Sequence, residues 1–364
     1  MKIGILGGGQ LARMLALAAY PLGIRTLCID PQPEACAKDV TSVKNASFED
    51  KNAILAFLSE VDIVTYETEN IPLKCAEWVQ NSHPLYPSVE VLEIAQDRLH
   101  EKKFFKSLAI PTTPFCNVEN STQLRAAATA MNFPLVLKTR RMGYDGKGQA
   151  IIREAADIES AWSKLSAKNQ SASLILEKFI DFQFELSLIG VRNSLGEIQY
   201  YPLTQNYHQQ GILRWSEAPL KNDSLLQQAK SYLDRILNQL NYIGVLTIEF
   251  FYDGQQLIAN EMAPRVHNSG HWTIEGAQTS QFENHIRAVI QWPLGSTKTI
   301  GNSFMLNCIG QLPSSVENLL SVSGVHYHNY GKAPRASRKL GHITLNETDP
   351  VLYAANKQNL IKSF

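Results

Sequence analysis

The sequence has no excess of charge of either sign. Lys and Arg total 34, and Asp and Glu also total 34, so net charge provides no field that would attract nucleic acid or an anionic membrane. Any anion site must therefore be built locally. No stretch of about 20 apolar residues is available to span a bilayer, and the apolar start, MKIGILGGGQLARM, has no small-residue cleavage site. We therefore expect a cytoplasmic protein with no nucleic-acid or membrane partner.

Cysteine is sparse and shows no paired spacing. The five cysteines, at positions 28, 36, 75, 116 and 308, never form a C-x-x-C pair. An odd, scattered set argues against a disulfide framework or a thiolate zinc site. We expect these residues to be small buried hydrophobes.

The length and the order of apolar runs predict several domains. At 364 residues, the chain exceeds the roughly 250 to 300 residues at which single cores usually divide. Apolar runs alternate with helical patterns over 1–95, which predicts a Rossmann-like domain with a parallel sheet. We expect a linker helix and a small lid over 96–180, a catalytic subdomain over 181–295 and a small β-rich domain over 296–364. The predicted fold class is multidomain, with α/β and α+β parts.

A glycine turn follows the first predicted strand. Residues 7–12 read G-x-G-x-x-A, and Asp30 ends the next strand. Glycines let backbone amides approach an anion at a helix N-terminus, and the later acid often holds a ribose. The turn therefore fits an NAD-dependent enzyme, another ligand, or a plain connection between strand and helix.

A basic, glycine-rich loop lies between two predicted strands. The segment KTRRMGYDGKGQ, residues 138–149, contains three glycines and four cations. Glycine permits the close backbone approach needed to wrap phosphates, and Lys138 supplies a fixed charge. We predict phosphate binding here, against the alternative of a solvated hairpin turn.

The segment EKFI, residues 177–180, followed by Glu185, is typical of a hinge between domains. Backbone groups of such a strand can read an adenine edge, and a nearby carboxylate can accept from ribose hydroxyls. The alternative is an edge strand of alternating polarity.

Glu249 and Glu261 lie on two predicted strands joined by YDGQQ. A two-residue turn would pair residue 249 with 258 and place the acids on opposite faces, whereas a three-residue loop would pair 249 with 259 and 247 with 261 and place them on one face. We predict the second register. Glu249 lies among apolar residues, so its burial without a cation would be costly. Mg²⁺ takes few carboxylates and completes its shell with phosphate oxygens.

Arg265, His267 and Asn268 follow directly. A guanidinium fork suits a carboxylate-like or carbonate-like anion, although a lone histidine is more often structural. We interpret His326 and His328 as side chains on one face of a strand. The basic cluster Lys332, Arg335, Arg338 and Lys339 is either a solvated face or a phosphate clamp.

Together these segments resemble the ATP-grasp superfamily and, within it, the N5-carboxyaminoimidazole ribonucleotide synthases of purine biosynthesis. The resemblance rests on GGGQLARM, DRLHEKKFF, VLKTRRMGYDGKGQ, LEKFIDFQFELS, YPLTQNYHQQGILR, TIEFF, NEMAPRVHNSGHWTIEGAQTSQFENH and RKLGHI. The run NEMAPRVHNSGHWT is the specific part, and Ala12 departs from a pattern that often has glycine. The resemblance implies an ATP-grasp fold with an N-terminal Rossmann-like domain and a small C-terminal β-rich domain.

The resemblance also implies roles for individual residues. The phosphate side of ATP would contact Arg98, Lys138, Gly143, Tyr144, Asp145, Gly146, Lys147, Gly148, Gln149 and His208. Its adenine and ribose would contact Glu177, Lys178, Phe179, Ile180 and Glu185. Two Mg²⁺ ions would bind Glu249 and Glu261, helped by Asn260. Bicarbonate would bind Arg265, His267 and Asn268. Aminoimidazole ribonucleotide would contact Tyr144, Asp145, Lys147, Lys332 and Arg338, with Gln10 and Glu67 at the border.

The implied activity is ATP-dependent carboxylation of 5-aminoimidazole ribonucleotide by bicarbonate through carboxyphosphate, with release of ADP and phosphate. His267 and Asp145 are equal candidates for the acceptor of the amine proton. Alternatives are a formate-dependent transformylase or biotin carboxylase of the same fold, and a Rossmann dehydrogenase or nucleotide sensor. The resemblance further implies a homodimer, and it places the glycine turn beside the ribonucleotide rather than NAD.

Overall fold

The structure, a computed structural model, describes residues 1–143, 146–166 and 173–362. Tyr144 and Asp145, both predicted to be site residues, lie outside the described residues. Within the described ranges the strands form three sheets. None of the helices in these ranges has the length and apolar character needed to cross a bilayer.

The described residues contain both strands and helices in each part of the chain. The strands are β1 (Lys2–Leu6), β2 (Arg25–Asp30), β3 (Ser42–Asn45), β4 (Ile63–Tyr66), β5 (Phe115–Val118), β6 (Leu135–Thr139), β7 (Gln149–Ile152), β8 (Leu174–Lys178), β9 (Phe184–Arg192), β10 (Ile198–Tyr200), β11 (Thr204–Gln209), β12 (Ile212–Ala218), β13 (Gly244–Tyr252), β14 (Leu257–Ala263), β15 (Asn302–Ile309), β16 (Val325–Asn329) and β17 (Lys339–Glu347). The α-helices are α1 (Gln10–Ala19), α2 (Lys51–Leu58), α3 (Leu73–Gln80), α4 (Val89–Ala95), α5 (Arg98–Ser107), α6 (Ser121–Met131), α7 (Asp157–Ser166), α8 (Asp223–Gln239), α9 (Thr273–Gly276), α10 (Gln281–Val289), α11 (Val316–Leu320) and α12 (Pro350–Lys362).

The first sheet confirms the predicted parallel sheet. Its order is β3-β2-β1-β4, and the three pairings are parallel. Strand β4 is buried throughout, as expected when helices cover both faces of a parallel sheet. The carboxyl ends of β1 and β4 lead into Gly7 and Glu67, so the two segments meet at one edge of the sheet, where open α/β sheets bind ligands.

The second sheet lies within residues 96–180, where the sequence predicts a small lid, and we call it the lid. Its order is β5-β8-β6-β7, all antiparallel, and α6 and α7 share its apolar core. The basic glycine loop joins β6 to β7, as the sequence predicts. Asn120 caps α6 by accepting a hydrogen bond from the Gln123 amide, which is the usual role of asparagine at a helix start.

The third sheet forms the floor of the molecule. Its order is β14-β13-β9-β11-β12-β15-β17-β16, with β10 paired to β9. Strand β12 pairs with β15, so the strands after residue 296 extend this sheet. Side chains of β9 alternate between two cores, because Leu186 and Leu188 pack with α8 while Ile189 and Val191 pack with α10. The division at residues 95, 180 and 295 stays a prediction.

The hairpin of β13 and β14 has a different register from the predicted one. The predicted pairing of 249 with 259 is wrong, because Glu249 pairs with Glu261 and Phe250 pairs with Ala259. The loop spans residues 253–256, since Tyr252 pairs with Leu257, and Asn260 is the extra residue of a β-bulge. Directly opposed residues of an antiparallel pair share a face, so the predicted common face of the two carboxylates is confirmed.

The five cysteines are free thiols. Cys28, Cys36, Cys75 and Cys308 are buried as predicted, whereas Cys116 is only partly buried. Burial raises the pKa of the Cys75 thiol to about 12, so this side chain is an unreactive apolar group at neutral pH.

Candidate active site

A cavity of about 400 Å³ lies among the first sheet, the lid and the floor. Many predicted site residues line it, namely Gln10, Glu67, Arg98, Gly143, His208, Glu249, Glu261, Arg265, His267 and Asn268. The cavity thus unites the predicted metal and carbonate residues. Other predicted residues are not part of its lining, namely Lys138, Gly146, Lys147, Gly148, Gln149, Glu177, Lys178, Phe179, Ile180, Glu185, Asn260, Lys332 and Arg338.

Glu249 is an ionised carboxylate held by an imidazole. Its Oε1 lies 2.8 Å from Nε2 of His267. Burial alone would raise the pKa of Glu249, but His267, His208 and Lys339 outweigh it and lower the pKa to about 2. The carboxylate is therefore charged at neutral pH and presents hard oxygen atoms to the cavity.

Glu261 faces Glu249 and contacts the lid through Arg98. Nη2 of Arg98 lies 3.5 Å from Oε2 of Glu261. The same guanidinium donates to the carbonyl oxygens of Thr139 at 3.1 Å and Gly143 at 3.3 Å. Arg98 thus connects the start of the glycine loop to the side of the cavity that carries Glu261.

Glu101 is a cavity residue that sequence reasoning missed. Its Oε1 accepts a hydrogen bond of 2.7 Å from the Met262 amide, beside Glu261. Burial and the charge of Glu261 raise the pKa of Glu101 to about 8. One feature of the sequence could have indicated Glu101, namely its position in DRLHEKKFF, one helical turn after Arg98.

Glu177 lies in a buried ionic cluster rather than in the cavity. Its Oε2 is 2.9 Å from Nζ of Lys138 and 3.5 Å from Nζ of Lys102. Burial would raise the pKa of Glu177, but the two lysines lower it to about 2. Lys102, which the sequence did not single out, also donates to the Asn260 carbonyl oxygen at 3.2 Å. The cluster therefore connects lid strands β6 and β8 to floor strand β14.

Glu185 and His208 form a second pair on the floor. Oε2 of Glu185 lies 2.7 Å from Nδ1 of His208. Burial lowers the pKa of His208, but the bond to Glu185 and the charge of Glu249 raise it above its usual value. His208 thus favours its cationic form within the cavity, as suits a contact to phosphate.

Arg265 is clamped by a residue that sequence reasoning missed. Glu69 accepts from Nε of Arg265 at 2.5 Å and from Nη2 at 3.0 Å. Burial would raise the pKa of Glu69, but Arg265 lowers it. This two-point contact fixes the plane of the guanidinium. The signal was the position of Glu69 just beyond a buried parallel strand, where ligand-binding residues collect.

The glycine turn is filled by the protein's own carboxylates. Glu67 accepts hydrogen bonds from the amides of Gly9 at 2.5 Å and Ala12 at 2.9 Å. Asp30 accepts from the Gly8 amide at 2.6 Å. The donors that a pyrophosphate would use at this helix N-terminus are therefore already satisfied, which argues against the NAD interpretation.

Three of the predicted ribonucleotide residues lie close together. Nζ of Lys332 donates to Oε1 of Gln10, and burial lowers the pKa of Lys332 although the nearby charge of Glu67 raises it. Arg338 donates to the Ala333 carbonyl oxygen at 3.1 Å instead. Gln10, Glu67 and Lys332 thus form one polar edge of the site.

The glycine loop is seated against the floor. Gly146 and Gly148 have φ values of +71° and +76°, which glycine adopts readily. A Cβ on Gly146 would lie 2.5 Å from the Gln210 carbonyl oxygen, and one on Gly148 would lie 2.6 Å from Oγ1 of Thr139. Only glycine allows these approaches.

His267 and Asn268 are fixed by buried amides. The side chain of Gln281 accepts from the His267 amide at 2.9 Å and donates to its carbonyl oxygen at 2.6 Å. Asn268 and Asn307 exchange two hydrogen bonds of 3.1 and 2.8 Å. Both residues therefore present a defined face to the cavity.

His328, one of the two histidines of β16, contacts Glu275 and His342. Nε2 of His328 lies 2.6 Å from Oε1 of Glu275, and the ring stacks on His342. In the parts of the chain that the structure describes, no group of three or more His, Cys, Asp or Glu residues forms a metal-binding cluster.

Three family models match the chain. They are the ribonucleotide synthetase preATP-grasp domain over residues 1–96, the ATP-grasp domain over 103–282 and the phosphoribosylaminoimidazole carboxylase C-terminal domain over 303–354.

Curated relatives match nearly the whole chain. The N5-carboxyaminoimidazole ribonucleotide synthase of Pseudomonas aeruginosa is 48% identical over 349 residues, which cover 96% of this chain and 95% of the relative. That of Vibrio cholerae is 41% identical over 350 residues, which cover 95% and 90%.

Solved structures agree with these relatives. The N5-carboxyaminoimidazole ribonucleotide synthetase of Thermus thermophilus is 47% identical, with a TM-score of 0.94 and coverage of 99% of this chain and 98% of that one. An Aspergillus clavatus N5-carboxyaminoimidazole synthase, in complex with ADP and 5-aminoimidazole ribonucleotide, is 29% identical, with a TM-score of 0.89 and coverage of 99% and 98%.

Proposed function

Because the chain belongs to the N5-carboxyaminoimidazole ribonucleotide synthase family of ATP-grasp ligases, its activity is ATP-dependent carboxylation of 5-aminoimidazole ribonucleotide in purine biosynthesis, and we propose which residues perform it. The observation that carries the assignment is the shared cavity of Glu249, Glu261, Arg265 and His267. In that cavity, two carboxylates that could bind the metal ion of a nucleotide lie beside a fixed guanidinium that could bind a small anion.

Glu249 and Glu261 fit Mg²⁺, since they face the cavity from one side of the hairpin. Mg²⁺ typically takes one or two carboxylates and completes its shell with phosphate oxygens and water. Two ions bound there would neutralise charge on the ATP phosphates. Arg98, Lys138 and His208, with loop residues Gly143, Gly146, Lys147, Gly148 and Gln149, would bind those phosphates. Residues 177–180, with Glu185, would hold the adenosine part, and Asn260 would support Glu249 and Glu261 on the metal side.

Arg265, His267 and Asn268 bind bicarbonate in this proposal. Glu69 takes the Nε hydrogen and one Nη2 hydrogen of the guanidinium, and Nη1 donates to the Val266 carbonyl oxygen at 3.2 Å. The second hydrogens of Nη1 and Nη2 are therefore the pair that could point at a trigonal oxyanion. A bicarbonate oxygen then attacks the γ-phosphorus, the bond to the ADP oxygen breaks, and carboxyphosphate forms. Such transfer depends mainly on positioning and charge neutralisation.

Carboxyphosphate must be protected from water before it reacts. The contact of Gly146 with Gln210 supports a role for the glycine loop as the cover of the cavity. The amine of aminoimidazole ribonucleotide then bonds to the carboxyl carbon, or to released CO₂, as phosphate leaves. Gln10, Glu67, Lys332 and Arg338, together with Tyr144, Asp145 and Lys147, are the proposed ribonucleotide contacts.

ADP release tests the assignment. Purified protein is supplied with ATP, Mg²⁺ and either bicarbonate, formate or neither, with and without aminoimidazole ribonucleotide. We expect the fastest release with bicarbonate and aminoimidazole ribonucleotide together. A faster reaction with formate, or no stimulation by the ribonucleotide, would overturn the proposed substrates.

We also propose a cytoplasmic homodimer. Free thiols at the five cysteines support a reducing compartment, and the dimer is supported by the family resemblance. Light scattering coupled to size-exclusion chromatography measures the mass against 40.7 kDa for one chain.

A further inference from the structure

A line of buried polar side chains runs from the floor of the molecule to His267. Oγ of Ser216 donates to Oδ1 of Asn206 at 2.8 Å, and Nδ2 of Asn206 donates to Oγ of Ser187 at 3.0 Å. Oγ of Ser187 lies 2.8 Å from Oγ of Ser269, which lies 2.8 Å from Nδ1 of His267. We call these four residues, Ser216, Asn206, Ser187 and Ser269, the relay. All four are buried.

Two bonds with defined donors set the direction of the relay: the Asn206 amide donates to Ser187, and the Ser269 backbone amide donates to Nδ1 of His267. Because Ser187 accepts from Asn206, its own hydroxyl hydrogen is free to point at Ser269. Ser269 then accepts from Ser187, so its hydroxyl hydrogen points at Nδ1 of His267. The Ser269 amide donates to the same Nδ1 at 3.3 Å. Nδ1 therefore has two donors and serves as an acceptor.

The opposite nitrogen of the ring completes this arrangement. With Nδ1 accepting, the ring hydrogen of His267 is on Nε2, which lies 2.8 Å from Oε1 of Glu249. A hydrogen bond made at one ring nitrogen sets the role of the other. Each residue in the series from Ser216 to His267 therefore donates a hydrogen bond to the next, and His267 donates to Glu249.

We propose that Asn206 and Ser187 are positioning residues, which act through Ser269 to keep His267 as a hydrogen-bond donor at Nε2. Strand β9 carries Ser187, and β11 carries Asn206, so the relay lies inside the floor sheet. Its catalytic consequence rests on the proposed function, in which His267 faces bicarbonate. The Nε2 hydrogen is given to Glu249 in the structure, and the same donor is the one that could turn to a bicarbonate oxygen, whereas a bare lone pair would repel both oxyanions.

Two substitutions change the relay in different ways. Asn206→Asp replaces the amide donor with a carboxylate acceptor. The hydroxyl hydrogen of Ser187 would then point back at residue 206, and the hydroxyl hydrogen of Ser269 would point at Ser187. Nδ1 of His267 would lose its hydroxyl donor and become protonated. Ser187→Ala removes one link without adding charge. Ser303→Ala is the matched control, because Ser303 is a buried serine on the same sheet whose hydroxyl donates to Asn346 at 3.0 Å.

The primary measurement is nitrogen NMR of protein labelled at histidine, with the His267 signals assigned from their loss in His267→Gln. We expect an unprotonated Nδ1 and a protonated Nε2 in the unmodified protein. Nδ1 should become protonated in Asn206→Asp, and its resonance should shift in Ser187→Ala but not in Ser303→Ala. If Asn206→Asp does not fold, Ser187→Ala decides the question.

Steady-state kinetics supply the second measurement. We expect kcat/KM for bicarbonate to fall roughly tenfold in Ser187→Ala, as is usual for partners that orient a functional imidazole. The KM for ATP and the activity of Ser303→Ala should stay near those of the unmodified protein. A protonated Nδ1 in the unmodified protein, or unchanged spectra and kinetics in Ser187→Ala, would overturn the relay. Loss of bicarbonate-dependent turnover in the unmodified protein would overturn the proposed function alone, because the spectra need no turnover.

Discussion

Glu249 and Glu261 face each other directly across two antiparallel strands, because the bulge at Asn260 moves the register by one residue. The bulge also exposes the Asn260 carbonyl oxygen to Lys102, which lies in the ionic cluster beneath the lid. One inserted residue therefore places both carboxylates in the cavity and links their strand to the lid.

Replacing Glu261 with glutamine should damage turnover much more than stability. The change removes the charge that would hold Mg²⁺ but keeps the size of the side chain, so we expect kcat to fall by roughly a hundredfold or more. ADP release and thermal unfolding measure the two effects. Glu49→Gln, at an exposed glutamate, is the control. A large drop in Tm with activity retained would contradict the metal role.

Replacing Glu69 with glutamine should weaken bicarbonate binding. The amide retains one acceptor but loses the charge and one of the two contacts to Arg265, so the guanidinium plane becomes less fixed. We expect KM for bicarbonate to rise on the order of tenfold, with KM for ATP unchanged. An equal rise in both constants would show that Glu69 supports the whole cavity instead.

Replacing Gly146 with alanine should uncouple ATP use from carboxylation. The new Cβ would collide with the Gln210 carbonyl oxygen and strain a backbone at φ +71°, so the loop could not seat and water could reach carboxyphosphate. We expect more ADP than carboxylated product. Gly23→Ala is a matched control, because Gly23 has the same φ of +71° with no atom within 4 Å of its Cβ. If Gly146→Ala formed one carboxylated product for each ADP released, the result would argue against the glycine loop as the cover of the cavity.

Lowering the pH should reduce the free energy of unfolding, because it removes the stabilising charge of Glu177. Its pKa in the folded chain is lowered to about 2 from an ordinary 4.5, so its stabilising effect is complete above pH 4.5 and is lost as the pH falls toward 2. The shift corresponds to at most about 3 kcal/mol. Burial lowers the pKa of Lys102 despite its contact with Glu177, so we expect a smaller loss than this limit.

Urea unfolding between pH 5 and 2 tests this expectation. In Glu177→Gln the unfolding free energy should be lower at pH 5 and should fall less steeply with acid. If the unfolding free energy of Glu177→Gln fell with decreasing pH as steeply as that of the unmodified protein, Glu177 would be excluded as a contributor to the acid destabilisation.

Local patterns predicted much of the fold and the site. The parallel sheet and the lid loop between β6 and β7 follow from alternation and turn residues over short stretches. The common face of Glu249 and Glu261 was predicted from a wrong register, and it arises from the bulge at Asn260. The predicted pairing of residue 249 with residue 259 was wrong because no clear sequence pattern marks the β-bulge at Asn260. Glu69 and Lys102 were missed because their partners, Arg265 and Glu177, are distant along the chain, so only folding shows why those charges are needed.

The glycine turn also has a consequence for classifying proteins from sequence. A search that scores only the glycines and Asp30 would assign this chain to the dinucleotide enzymes. The discriminating feature is an acid immediately after the fourth strand, where Glu67 takes up the turn's amide donors from inside the fold. In this chain the acid turns a potential cofactor pocket into a contact between the end of β4 and the start of α1, and a pattern that included Glu67 would not assign it to the dinucleotide enzymes.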